Sequence, residues 1–132
     1  MADGAESRLA DWALSHRHRP ILLVRGNHDR GAAGLEERLG WTGVEEGGMV
    51  EGFQVRHHPP ADRRSGAWLA GHIHPAVRVG GRRESVQCPC FWRTGEGLVL
   101  PAFGALTGAG RAEFEPEDEV YAVAGGLVSR VP

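Results

Sequence analysis

The chain has 132 residues, enough for one domain with a core, and its 41% apolar content excludes a disordered tail. A formal charge of −2 with histidine neutral gives no global electrostatic case for nucleic acid, and all 15 basic residues are arginine, which compositional drift explains as readily as a binding role. No apolar run approaches a membrane span, and Asp3, Glu6, Arg8 and Asp11 are not those of a secretory signal, so the expected location is the cytoplasm.

Ser7 ahead of Leu9, Trp12, Ala13 and Leu14 predicts a capped amphipathic helix from about Glu6 to Ser15. Pro20 then opens the run "ILLV", which suits a strand buried on both faces. Helix followed by buried strand is half of a βαβ unit. The polar stretch "RGNHDR" follows, and "LEERL", Leu35 to Leu39, predicts a short helix. "MVEGFQV" alternates crudely and reads as one strand, Met49 to Arg56. "HHPPADRRSG" is a loop, because its prolines cannot continue a ladder. "AWLAG", Ala67 to Gly71, is a short buried strand.

"AVRVGGRRESVQCPCFW" reads as a hairpin turning near Gly80 and Gly81. Cys88 and Cys90 are separated only by Pro89, too close for a comfortable disulfide and too short for a zinc knuckle. They read as two free thiols on or beside a strand in a reducing compartment. "GLVLPAFGAL" is a strand entering a glycine-containing loop, and "EVYAVAGGLVSRV" is a second hairpin turning at Gly125 and Gly126. Helices lie early and strands crowd the end. The fold class expected is α/β, of the α+β kind, within a single domain over residues 1–132.

Five of the seven histidines fall in three clusters: His28 in "GNHD", His57 and His58 in "HHPP", His72 and His74 in "GHIHP". Each follows a strand-like apolar segment, and strand ends are where open α/β sheets form crevices. His72 and His74, at i and i+2, point to one side if the segment stays extended, within reach of one ion or two adjacent ones. Gly71 would let the backbone come close, and Pro75 would stiffen the exit. Asn27 offers an amide oxygen, which suits a harder ion such as manganese or magnesium. Separate surface histidines are the plain alternative for any one of these residues, and a poor account of three clusters at strand ends.

In order and spacing, "GNHD", "HHPP" and "GHIH" resemble the later half of the calcineurin-like metallophosphoesterase signature. "GHIHPAVRVGGRR", "CPCFW" and "LVLPAFGALTG" are similar to the bacterial ligase-associated DNA damage response endonucleases of the PdeM group. The resemblance implies a metal-dependent phosphoesterase, a DNA endonuclease or phosphodiesterase, built as a four-layer sandwich with two divalent ions, manganese by preference. It implies that Asn27, His57 and His72 hold the second ion and His74 the first. His28 would sit over the phosphate as electrostatic stabiliser or general acid, with Asp29 and His58 in support. Arg25 and Arg30 flank the loop and could touch a phosphodiester, although solvated loop arginines are an equal reading. Single-stranded DNA is the implied substrate, with a DNA ligase and a helicase as implied partners and no membrane.

The family's earlier motifs, D-x-H and G-D-x-x-D, carry the carboxylates, including the one that bridges the ions. Neither occurs in this chain, where Asp3 is followed by Gly-Ala and Asp11 by Trp-Ala. Weak or partial binding of hard cations is therefore expected, because such ions need carboxylate charge. The chain reads as the C-terminal, strand-rich part of the sandwich without its first βα units, a fragment of a protein longer by a few tens to about a hundred residues. Two other readings carry weight: a non-catalytic remnant or interaction module, and a phosphatase of small nucleotides or phospholipid headgroups.

Overall fold

The computed structural model describes residues 3–26, 34–104 and 107–132. The chain divides into two compact units, residues 1–46 and 47–132. Among the described residues no helix is long and apolar enough to cross a membrane.

The first unit opens with α1 (Asp3–Ser15), which has the expected position and one extra turn at its start. Trp12 stacks on His16 at 4.4 Å between ring centroids and meets Trp41 edge-on at 6.3 Å. β1 (Leu22–Val24) pairs in parallel with β2 (Thr42–Val44), with Leu22 opposite Thr42 and Val24 opposite Val44. Leu22 remains 44% exposed, so the "ILLV" run is not buried on both faces as expected. Its apolarity marks a strand whose ladder, among the described residues of this unit, has a single neighbour. β2 itself escapes a pattern-based reading because "TGV" offers neither length nor alternation. Between the two strands lies α2 (Leu35–Leu39), bounded by Gly34 and Gly40, both left-handed. The amides of Gly40 and Trp41 close its last turn on the Glu37 and Glu36 carbonyls.

The second unit is a mixed eight-stranded sheet. Its strands are β3 (Met49–Val50), β4 (Phe53–Arg56), β5 (Trp68–Ala70), β6 (Ala76–Gly80), β7 (Ser85–Thr94), β8 (Gly97–Val99), β9 (Glu119–Ala124) and β10 (Leu127–Arg130). The order is β10-β9-β7-β8-β5-β4-β3, with β6 pairing the first half of β7. The strand expected over Met49 to Arg56 is in fact the hairpin β3–β4, turning at Glu51 and Gly52, whose φ values are 52° and 86°. Two consecutive left-handed residues make the turn whose twist matches its strands. Gly125 and Gly126, φ 57° and 77°, do the same between β9 and β10, as the sequence suggests.

The core gathers Trp68, Ala70, Trp92 and Val99, with Ile73, Ala112 and Phe114 packed against it. Trp68 lies across from Gly97 on β8, and a Cβ there would fall 1.9 Å from the indole. Glycine at 97 is therefore the socket for the tryptophan. Trp92 is held from three directions: Phe114 edge-on at 5.4 Å, the Arg63 guanidinium 4.6 Å over its face, and Asp118 Oδ2 accepting its indole N–H at 2.8 Å. Cys88 and Cys90 are free thiols on β7, as expected, and both are buried. Burial, with Cys88 nearby, pushes the Cys90 thiol up to about 11, so it stays neutral and unreactive.

Asp118 also accepts the Glu115 amide at 2.9 Å. Burial pushes its carboxyl up, but the Glu115 and Trp92 donors, with Arg64 nearby, outweigh that and leave it below the usual range. A depressed carboxylate stabilises the fold above its unfolded pKa of about 3.9 and loses that contribution as pH falls through the lower folded value. Asp118→Ala should cost about 1–3 kcal/mol at pH 7, since it strands a buried indole donor. Urea unfolding at pH 7 and at about pH 3 measures this, and the gap between variant and wild type should narrow at the lower pH.

Candidate metal centre

β4 and β5 run parallel, with Arg56 opposite Ala70, so both strands end at the same edge. His57 and His58 follow directly after β4, and Gly71 and His72 after β5. The Gly71 amide donates to the His57 carbonyl at 3.2 Å, extending the ladder past the last paired residues. Arg56 Nε donates to the His58 carbonyl at 3.0 Å and fixes the turn away from the strand.

Three imidazoles converge there. One nitrogen from each of His57, His58 and His72 lies within 4.8 Å of the other two. His72 Nδ1 and His57 Nε2 are 3.0 Å apart. Ring centroids are separated by 4.5 Å for His57 and His58, 4.8 Å for His57 and His72, and 4.0 Å for His58 and His72. The family resemblance assigns His57 and His72 to an ion and leaves His58 beside them; the structure brings all three into one group.

"GHIH" is not extended. His72 and His74 have φ values of 67° and 53°, in the left-handed region that side chains rarely adopt. The Ile73 amide closes on the Gly71 carbonyl at 2.8 Å across His72, a three-residue turn of the rarer, strained hand. Such residues cost of order 1–3 kcal/mol each and persist where their surroundings over-determine them. The alternation expected for an extended i, i+2 pair is therefore lost: His72 joins His57 and His58, whereas His74 lies outside that group and places Nδ1 3.2 Å from the Thr107 carbonyl. Nor is the close backbone approach at Gly71, where a Cβ would meet only the His57 carbonyl at 4.0 Å. It is at Gly110, whose added Cβ would fall 1.7 Å from the Ile73 carbonyl oxygen. Only the glycine-rich texture of "LTGAG" hints at this in the sequence. Pro75 is fully buried and accepts from the Cys90 amide at 3.0 Å, which supports its reading as a stiff exit.

In the first unit Arg25 donates through Nε to Glu36 at 2.7 Å and through Nη1 to Glu45 at 3.2 Å. Its donors serve carboxylates of α2 and of the segment after β2, and Glu36 is held below the usual carboxylate range by its own backbone amide and by Arg25. An added Cβ at Gly43 would lie 3.0 Å from Glu36 Oε1 and 3.1 Å from Arg25 Nη2, so the ion pair nests over that glycine. Asn27, His28, Asp29 and Arg30 lie outside the described residues.

The donor set can be tested against a cation. Nitrogens bound at about 2.0–2.1 Å to one ion sit about 3.0 Å apart when adjacent in an octahedron and about 3.4 Å apart in a tetrahedron. The His57–His72 separation of 3.0 Å, spanned here by a hydrogen bond, matches that spacing, and a His58 nitrogen lies within 4.8 Å of both. Neutral imidazoles suit zinc, copper, nickel or iron better than manganese, which prefers carboxylate and carbonyl oxygen. No Asp or Glu belongs to this group among the described residues.

No protein-family model matches the chain, and no curated protein matches it. Among solved structures, the chain is similar to the crystal structure of the Pseudomonas putida nuclease MPE, with 31% identity and a TM-score of 0.74 over 95% of this chain. The chain spans 60% of that nuclease's length. The strand-rich, mixed α/β architecture is thus nuclease-like, in line with the fold class read from the sequence.

Proposed function

We propose that the chain carries the histidine cluster of a metal-dependent phosphoesterase that acts on phosphodiesters, with single-stranded DNA as substrate class and DNA repair as setting. One observation carries the reading: the parallel ends of β4 and β5 bring His57, His58 and His72 within 4.8 Å of one another in a nuclease-like fold. His57 and His72 hold the ion, with His58 as a third donor, and His74 serves an adjacent ion. A bound divalent ion would clamp a phosphate oxygen and lower the pKa of an attacking water. Asn27 supplies a hard oxygen donor, which is the argument for manganese, and His28 stabilises charge on the transferred phosphate or protonates the leaving oxygen. The cytoplasm, with a DNA ligase and a helicase as partners, fits this reading.

A second reading has its own observation. The cluster joins three imidazoles, donors that bring no negative charge to a cation, which favours cation-dependent binding of a phosphodiester over its hydrolysis. For the 132-residue chain we expect zinc-dependent retention of a fluorescent single-stranded oligonucleotide, reversed by EDTA, without manganese-dependent turnover of bis-p-nitrophenyl phosphate. Retention that ignores EDTA and survives His57→Ala would defeat the proposal. Turnover that is lost in His74→Ala would defeat the second reading and leave the enzyme.

A further inference from the structure

We infer that the loop through Thr107 and Gly110 is a positioning device for His74, fixing its imidazole as the Nδ1–H tautomer so that Nε2 is presented as the free donor. The inference rests on the metal-site reading of His74, but its physical content does not depend on an ion. A backbone carbonyl has no proton to give, so the 3.2 Å contact between His74 Nδ1 and the Thr107 carbonyl requires the proton on Nδ1. Neutral imidazole then keeps its lone pair on Nε2. A hydrogen bond on one ring nitrogen is the usual way a protein selects which of the two a metal receives.

The loop that provides the carbonyl is itself anchored at the same turn. The Gly110 amide donates to the His74 carbonyl at 2.9 Å, and Gly110 pairs with Pro75 in a parallel bridge. The approach is so close that an added Cβ would stand 1.7 Å from the Ile73 oxygen and 3.6 Å from the His74 oxygen. Thr107 Oγ1 donates to the Gly104 carbonyl at 2.7 Å and thereby braces the near end of the loop. His74 is thus gripped at its backbone by residue 110 and at its ring by residue 107, which explains how φ of 53° is held at a non-glycine residue. Thr107 and Gly110 act through His74.

The test reads the tautomer directly. A long-range 15N–1H correlation spectrum of the 132-residue chain at about pH 8 distinguishes the protonated from the bare ring nitrogen. The expected result is a single His74 species protonated on Nδ1. A His74 protonated on Nε2, or an even mixture of tautomers, overturns the inference whatever any variant does. In Gly110→Ala the His57, His58 and His72 signals should persist while His74 becomes a tautomer mixture. A folded Gly110→Ala that keeps the wild-type His74 tautomer would show that the loop does not hold it. Should that variant fail to fold, the wild-type spectrum still decides. Zinc addition separates this from the broader proposal: if no imidazole responds, the metal reading fails and the tautomer result stands by itself.

Discussion

His72→Ala is expected to lower zinc affinity by more than the 10–100-fold that loss of a mere outer partner costs, because it removes a nitrogen placed 3.0 Å from its neighbour ligand. The turn that positions His72 is strained at φ 67°, and alanine keeps the Cβ that strains it, so the variant should leave stability about where it is. Affinity should fall while stability does not. Isothermal titration with zinc measures the first, and thermal unfolding without added metal measures the second. His58→Ala, by contrast, should weaken binding less, since its place beside the other two is a supporting one. Equal losses for His58 and His72 would mean that the three act as one symmetric site.

Trp92→Ala should be the most damaging single substitution for stability in residues 47–132. The side chain is 1% exposed and is a member of the core cluster with Trp68, Ala70 and Val99. Truncating a buried tryptophan typically costs about 3–5 kcal/mol, and here the Asp118 carboxylate also loses a donor. A melting temperature lower by roughly 10 °C or more is expected from the ordinary entropy of unfolding for this size. Trp12→Ala, at a residue 39% exposed, should shift it far less. Comparable shifts in circular-dichroism melting curves would place the dominant core elsewhere.

Where hydrophobic period and turn chemistry agreed, the fold was legible in the sequence. The Gly-Gly turn at 125–126 and the apolar runs at β5 and β9 announce themselves, because left-handed turns need glycine and buried strands need continuous apolar residues. β2 was not legible, for three residues carry no period. The β3–β4 hairpin was hidden because Glu51 adopts a left-handed conformation that sequence rules reserve for glycine and asparagine. At the candidate site, residue identity was readable and geometry was not. Nothing in "GHIH" says that the segment turns through two left-handed histidines, and at His74 that conformation is held from outside by Gly110 and Thr107. Arg25 shows the same limit: an arginine beside a polar loop invites a phosphate reading, and the carboxylates that engage it lie 11 and 20 residues further on.

If His57, His58 and His72 form one cation site, a histidine-selective NMR titration of the 132-residue chain with zinc will show it across all seven imidazoles. His57 and His72 should shift together and saturate at one equivalent, with His58 following, while His16 and His18 on the first unit stay unchanged. Saturation without any response from His57 and His72, or a response confined to His16 and His18, would contradict it.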